Sequence, residues 1–269
     1  MKEVLVRFLS GVLYVAIIFF TLFTSREWFF GLLFILATFT LNEFLRIVKL
    51  KGALAYILLA LAFYFISFQY NSIPNYILLS LLIITIIVNL FLFKDVILFN
   101  KLSLFKKRRY FCILFYIISG FIFLSLVPSI GNTFEPKIIL GIFILAWSND
   151  TFAYLTGKQF GKRKLMEKIS PKKTVEGFFG GMGGALIASF FIFKFTETLS
   201  FPIWLVLGIL VSVLGTTGDL IQSKFKRLAG VKDSGKIMPG HGGVYDRLDS
   251  IIYASPFIYL FLIIVDYVS

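Results

Sequence analysis

The densest chemistry in this sequence lies between residues 219 and 249, where acidic and basic side chains alternate. Two nearby carboxylates repel each other unless a cation lies between them, and carboxylate oxygens are ligands that Mg²⁺ prefers. Lysine and arginine side chains are common partners of phosphate groups. The mixture predicts a site that binds phosphate together with a hard metal ion. Its carboxylates are Asp219, Asp233, Asp246 and Asp249, and its cations are Lys224, Lys226, Arg227, Lys232 and Arg247.

Helical spacing brings several of these side chains together. Asp246 and Asp249 are three positions apart, so both carboxylates face the same way at the start of an apolar helix. An acidic residue well inside a membrane span costs roughly 2.5–3.5 kcal/mol on insertion scales, which indicates a function for Asp219. The alternatives are a structural ion pair at Asp219 and helix capping by Asp246. The residues that share one helical face with Asp219, at offsets of 3, 4, 7 and 8, are Gln222, Ser223, Lys226 and Arg227.

A second group of polar residues lies upstream, at 149–177. Asp150 shares a helical face with Tyr154 and Lys158. Either Ser170 or Thr174 is expected to cap the next helix, with Pro171 in its first turn, and the amides there, with Lys172 and Lys173, suit a phosphate. An ordinary basic loop is the alternative. The following glycines are expected to allow close helix packing, and they are Gly177, Gly180, Gly181, Gly183 and Gly184.

Elsewhere the chain is apolar. Of its 269 residues 58% are hydrophobic and only 15% are charged, whereas about a quarter is usual in soluble domains. One histidine and one cysteine disfavour a zinc site. The recurring apolar runs predict an all-α polytopic membrane protein with about nine transmembrane helices. The expected spans are residues 4–24, 28–47, 52–70, 75–93, 110–130, 136–157, 174–195, 202–222 and 247–268.

The basic residues predict the orientation of these spans. All but Arg26, Lys137 and Lys194 of the 27 lysines and arginines fall at the N-terminus or in alternate loops. The positive-inside rule then places the N-terminus in the cytosol and the C-terminus outside. This topology also explains the formal charge of +13, so no nucleic-acid partner is expected.

The polar residues also divide the chain into two regions. Residues 1–135 are expected to form a scaffold of about five spans, in which Glu43 and Arg46 make a local pair one turn apart. Residues 136–269 are expected to form the catalytic transmembrane region, with cytosolic loops at 158–173 and 223–247.

The stretch from Ser223 to Asp249 resembles the signature of phosphatidate cytidylyltransferases, also called CDP-diacylglycerol synthases. Residues 149–161 and 170–177 resemble upstream motifs of that family, although Val175 stands where an aromatic residue is usual. The likeness covers residues 145–250, whereas the first 135 match only as hydrophobic spans. The matched signature positions are Ser223, Phe225, Lys226, Arg227, Lys232, Asp233, Gly235, Met238, Pro239, His241, Gly242, Gly243, Val244, Asp246, Arg247, Leu248 and Asp249.

The resemblance implies a reaction in which CTP and phosphatidic acid give CDP-diacylglycerol and pyrophosphate, with Mg²⁺ and room for a second cation. It implies a bacterial inner (plasma) membrane protein whose site faces the cytosol among membrane lipids. The expected catalytic residues are Asp219, Asp246, Asp249 and His241, of which the three aspartates hold the metal and His241 contacts the leaving pyrophosphate. The expected substrate-binding residues are Asn149, Asp150, Lys172, Lys173, Ser223, Lys226, Arg227, Lys232, Asp233 and Arg247.

Two other functions remain open at this point. A CTP-dependent lipid kinase of the polyprenol or phytol type would transfer the γ-phosphoryl group and release CDP. An ion or metabolite transporter would line a path with Asp219 and Asp150, but the polar groups gather at the cytosolic ends of only four spans. Whether the chain forms a homodimer also stays open.

Overall fold

The computed structural model describes residues 2–69, 74–98, 109–131, 133–240 and 242–268, with side chains from residue 9 onward. Nine helical elements run through these residues. They are α1 (Lys2–Thr24), α2 (Arg26–Ile47), α3 (Leu54–Ala62, continued by a π-helical segment Phe63–Phe68), α4 (Asn75–Ile97), α5 (Arg109–Ser129, with a π-helical segment Ile113–Ile118), α6 (Pro136–Phe160), α7 (Val175–Thr196), α8 (Phe201–Ala229) and α9 (Tyr245–Val268).

Seven of these helices are long and apolar enough to cross a membrane, namely α2 and α4 to α9. The polytopic membrane fold predicted from hydropathy is therefore confirmed. The described apolar parts of α1 and α3 are shorter, at Leu9–Thr24 and Leu54–Phe68. A full span needs about 20 residues, so the count of nine spans stays a prediction.

Contacts between helix ends follow the alternation expected of consecutive spans. Lys137 Nζ, at the start of α6, donates a hydrogen bond to the Thr196 carbonyl at the end of α7, at 3.3 Å. At the opposite end of the bundle, Ser10 Oγ of α1 donates to the Pro239 carbonyl between α8 and α9, at 3.1 Å. Which end faces the cytosol stays a prediction.

The fold departs from an all-helical chain in the loop between α6 and α7. Strands β1 (Lys164–Met166) and β2 (Ser170–Thr174) pair there in an antiparallel hairpin. Pro171 therefore lies in β2, and the expectation that it starts a helix was wrong. Thr174 is confirmed as the cap of α7, because its hydroxyl accepts a hydrogen bond from Gly177 N–H.

Helix α8 is longer than the sequence predicted. It continues past residue 222 to Ala229, and Gly230 ends it with a φ of +74°. Ser223 and its basic neighbours are therefore helical, and the predicted loop 223–247 begins only at Gly230. The basic residues misled the prediction because a helix that projects beyond the membrane resembles a loop in composition.

An aromatic cluster joins α2, α5, α8 and α9. Phe44 packs edge-to-face on Phe225 with ring centroids 5.2 Å apart, and the hydroxyls of Tyr116 and Tyr245 lie 2.9 Å apart. All four side chains are fully buried. Edge-to-face pairs stabilise packing beyond area burial by about 0.5–1.5 kcal/mol each, so the cluster holds the scaffold against the last two helices.

The glycines of α7 allow it to pack closely on α6. A Cβ at Gly181 would lie 2.7 Å from the Asn149 carbonyl oxygen, and a Cβ at Gly177 would lie 2.9 Å from that of Ala153. The packing role is confirmed for these positions. Gly183 is an exception, because a Cβ there would meet nothing within 4 Å.

These two environments predict opposite effects of adding one methyl group. Gly181→Ala should lower the free energy of unfolding by about 1–3 kcal/mol, since rigid backbone cannot yield. Gly183→Ala, in the same helix, should be neutral or stabilising by about 0.5–1 kcal/mol, because alanine is the better helix former. Thermal unfolding of both variants in detergent measures this, and equal stabilities would contradict the packing.

Candidate functional site

A cavity of about 520 Å³ lies among α6, the β1–β2 hairpin, α7, α8 and the start of α9. Among the described residues, five carboxylates and five cationic side chains line it. The acids are Asp150, Asp219, Asp233, Asp246 and Asp249, and the bases are Lys158, Lys172, Lys173, Lys226 and Arg247. The cavity thus has a formal charge near zero before any ligand binds.

An ion pair joins the hairpin to α8. Lys173 Nζ of β2 lies 2.5 Å from Asp219 Oδ2, and Ser223 Oγ donates a hydrogen bond to Asp219 Oδ1 at 3.2 Å. About a third of the Asp219 side chain stays exposed, at 33%. Both carboxylate oxygens therefore have donors, while the group still faces the cavity.

Asp246 has the most hydrogen-bond partners of the cavity acids. Its Oδ1 accepts from Lys226 Nζ at 2.7 Å and from Gln222 Nε2 at 3.1 Å. Its Oδ2 accepts from the backbone N–H groups of Ser234 and Gly243 at 2.9 and 3.0 Å. Asp246 therefore also acts at the N-terminus of its own helix, as the capping alternative proposed, because it binds the loop that precedes α9.

Asp249 lies one turn further along α9 and is buried, with 7% of its surface exposed. Its Oδ1 accepts a hydrogen bond from Ser250 N–H at 2.8 Å. Within the described part of the chain no lysine or arginine lies within ion-pair distance of it. A buried carboxylate with so few partners has capacity to bind a cation.

Asn149 provides a neutral polar group in the same cavity. It is buried, and its Oδ1 accepts no hydrogen bond from the described residues. Buried polar atoms in native proteins usually have a partner, so an unpaired acceptor in a cavity suits a ligand that donates a hydrogen bond.

The hairpin is held in place by α7. Glu176 accepts hydrogen bonds from Lys162 N–H at 3.0 Å and from Arg163 N–H at 3.1 Å. Its carboxylate also pairs with the Arg163 side chain at 3.6 Å. These contacts fix the strand register that points Lys172 and Lys173 at the cavity.

The structure brings most of the predicted site residues together. Arg227 and Lys232 do not line the cavity. Both are exposed, and both are next in sequence to residues that do line it. Ser223 does not line the cavity either, but its hydroxyl donates a hydrogen bond to Asp219, which does. His241 lies outside the described residues, so its predicted contact with pyrophosphate stays a prediction. The predicted residues that line the cavity are Asn149, Asp150, Lys172, Lys173, Asp219, Lys226, Asp233, Asp246, Arg247 and Asp249.

Sequence reasoning missed Glu43. The expected local pair with Arg46 is wrong, since the two make no ion pair in the structure. The Glu43 carboxylate instead accepts hydrogen bonds from Ser234 Oγ and from the N–H groups of Val244 and Tyr245. An acid near the end of an apolar span was a usable signal, but its partners lie about 200 positions away along the chain.

The donor set of the cavity suits a hard metal ion. Carboxylates and hydroxyls are the ligands that Mg²⁺ prefers, and Asp249 carries no ion pair among the described residues. However, no three acidic, histidine or cysteine side chains in the described ranges converge on one point. The ammonium groups of Lys173 and Lys226 lie beside Asp219 and Asp246, where a cation would bind. A metal ion and these lysines therefore compete for the same oxygens.

The sequence is also similar to that of known proteins. A family model described as "Cytidylyltransferase family" matches residues 5–265. A phosphatidate cytidylyltransferase of Staphylococcus aureus is 43% identical over 150 residues, which are 55% of this chain and 56% of that protein. One of Staphylococcus epidermidis is 46% identical over 129 residues, or 47% and 49% of the two chains. The match thus spans about half the length of these curated relatives. Because the family model covers nearly the whole sequence, the chain belongs to the cytidylyltransferase family.

Proposed function

We propose that this chain is a phosphatidate cytidylyltransferase, which transfers CMP from CTP to phosphatidic acid and releases pyrophosphate. The observation that carries the proposal is the cavity of mixed charge, lined by paired lysines and carboxylates at one end of apolar helices. The names of the similar proteins from Staphylococcus support the same reaction.

The proposed reaction needs neutralisation of negative charge more than it needs a strong base. A phosphate monoester has a second pKa near 6, so the phosphate of phosphatidic acid is largely ionised at neutral pH. An oxygen of that phosphate attacks the α-phosphorus of CTP, the bond from this phosphorus to the bridging oxygen breaks, and pyrophosphate leaves with the electron pair. The obstacle is repulsion between two anions, which stabilisation by cations reduces.

The residues of the cavity are suited to this task. Lys172, Lys173, Lys226 and Arg247 line the cavity and are assigned to the phosphates of the two substrates. Lys173 and Lys226 are held in place by Asp219 and Asp246 before substrate arrives. Such preorganisation reduces the cost of orienting the cations during the reaction. Binding roles for Arg227 and Lys232 stay predictions, because neither lines the cavity.

The near-neutral charge of the cavity supports a metal requirement. Acids and bases balance without ligands, so the negative charges of CTP and phosphatidic acid have no counterpart unless further cations bind. We assign Asp219, Asp246 and Asp249 to Mg²⁺, although the three carboxylates do not converge among the described residues and the first two pair with Lys173 and Lys226. A second cation belongs to the same proposal. When bound, the metal neutralises phosphate oxygens and the leaving group.

The fold supports a location in the bacterial inner membrane. The cavity lies where the hairpin and the 230–244 loop meet the helix ends, on the side that the basic residues assign to the cytosol. We place phosphatidic acid with its head group in this cavity and its acyl chains in the bilayer. Nine spans and a cytosolic N-terminus belong to this proposal as predictions, and the question of a homodimer stays open.

Labelling either the α- or the γ-phosphate of CTP tests the reaction directly. Purified protein in detergent, incubated with phosphatidic acid and Mg²⁺, should transfer label to lipid from [α-³²P]CTP and none from [γ-³²P]CTP, with release of pyrophosphate. Label from the γ position with release of CDP would identify a lipid kinase. No lipid product from either nucleotide would contradict the proposed function.

The acid residues predict a site-specific loss of activity. Asp219→Asn and Asp246→Asn should each lower turnover by about 10²–10³-fold, because each removes a charge that holds cations at the reacting phosphates. Chelation with EDTA should stop the wild-type reaction, and added Mg²⁺ should restore it. Asp266→Asn is the control, since this exposed carboxylate lies at the other end of α9. Turnover at the wild-type rate in either site variant refutes the metal assignment.

A double substitution separates a structural ion pair from a catalytic one. If Lys173 and Asp219 only neutralise each other, the combined Lys173→Met and Asp219→Asn variant should recover activity, because no unpaired charge remains. We expect no recovery, with the double variant at least as slow as the slower single variant. Thermal unfolding in detergent checks that all three variants fold.

A further inference from the structure

Glu43 is a buried carboxylate of α2 that no step of the proposed reaction uses. Only 1% of its surface is exposed. It accepts hydrogen bonds from Ser234 Oγ at 2.7 Å, Val244 N–H at 3.0 Å and Tyr245 N–H at 2.9 Å. All three donors lie in the loop between α8 and α9 or at the start of α9, which is the segment that carries Asp246.

Glu43 and Asp246 both bind this loop. The three consecutive N–H groups at Gly243, Val244 and Tyr245 all donate to these two carboxylates. Ser234 joins both of them, since its N–H donates to Asp246 and its hydroxyl to Glu43. A shift of the backbone at any of these three positions would therefore break a bond to one of the two acids.

Two glycines of the loop leave the space that the Glu43 carboxylate occupies. A Cβ at either Gly235 or Gly243 would collide with the Glu43 carboxylate. The carboxylate also lies at the N-terminus of α9, where the helix dipole favours a negative charge. The sequence of the loop and the position of the acid thus depend on each other.

These contacts have a consequence for Asp246. Its Oδ2 is held by the N–H groups of Ser234 and Gly243, which leaves Oδ1 directed at Lys226 and Gln222. We propose that Glu43 is a positioning residue for Asp246: it fixes the loop, and the loop fixes the carboxylate that faces the cavity. The kinetic test of this inference rests on the proposed function. The second test, limited proteolysis, rests on the loop contacts alone.

Substitution of Glu43 by glutamine tests the kinetic part. The amide nitrogen of glutamine cannot accept from an N–H group, so either Val244 or Tyr245 loses its partner. We expect turnover to fall about 10–100-fold and the half-saturating concentration of Mg²⁺ to rise about 10-fold, as for other residues that orient a binding group. A smaller folded fraction would lower only the maximal rate. Ser234→Ala should shift both quantities in the same direction by about 2–10-fold, the loss of one hydrogen bond.

Limited proteolysis tests the loop without any activity. Lys232 and Lys236 are exposed on either side of Ser234, and Lys162 and Lys164 are exposed at the hairpin as an internal reference. Trypsin should cut after Lys232 and Lys236 several-fold faster in Glu43→Gln and Ser234→Ala than in the wild type, relative to the hairpin sites. Glu197→Gln, an exposed carboxylate at the end of α7, is the matched control and should change neither readout.

The outcomes separate the inference from the proposed function. Wild-type Mg²⁺ dependence in Glu43→Gln, or unchanged loop cleavage in both variants, would overturn the positioning role while leaving the cytidylyltransferase reaction in place. A wild-type protein that makes no CDP-diacylglycerol would overturn the proposed function, and the cleavage rates would still decide whether Glu43 holds the loop. If Glu43→Gln does not fold, Ser234→Ala decides both readouts.

Discussion

The pairing of lysine ammonium groups with aspartate carboxylates, at the end of an otherwise apolar bundle, constrains the rest of this structure. A charge that leaves water is costly unless an opposite charge and hydrogen bonds replace its hydration. Lys173 meets Asp219, and Lys226 meets Asp246, so each of these four charges has a partner from a different element of the fold. The ion pairs therefore also act as links between elements: one ties the hairpin to α8, and the other ties α8 to α9. The same contacts therefore form the site and hold these elements together at this end of the bundle.

That arrangement also leaves the same residues able to meet the proposed substrates. An ammonium group held by one carboxylate in a partly exposed cavity keeps donors available for a phosphate oxygen, since lysine has three. Asp219 keeps 33% of its side chain exposed, whereas Asp246 keeps only 9%. The first acid can exchange its partner more readily than the second. The structure thus combines one adaptable pair with one pair that is fixed by four hydrogen bonds.

Local sequence patterns predicted the features that depend on near neighbours. Hydropathy located the membrane helices, Thr174 was a correct cap, and helical offsets grouped Asp219 with Gln222 and Lys226 around one cavity. The features that failed either left no local pattern in the sequence or depend on distant partners. The hairpin strands are only three and five residues long and rich in lysine, so no alternation of apolar residues marked them. Glu43 looked like half of a local pair because its true partners follow about 200 residues later.

The two regions that the sequence predicted, residues 1–135 and 136–269, satisfy each other's buried polar groups. Lys224 of α8 is buried and donates to the Asp95 carbonyl of α4, so its charge is accommodated by the first region. Glu43 of α2 is satisfied only by the loop of the second. The rings of Phe44 and Tyr116 pack on those of Phe225 and Tyr245 across the same boundary. If the two regions separated, Lys224 and Glu43 would both lose their partners. Leaving a buried charge unpaired costs several kcal/mol. The first region therefore does more than enclose the last four helices: it supplies the acid that holds the loop before α9 and the carbonyl that accepts from the buried Lys224 of α8.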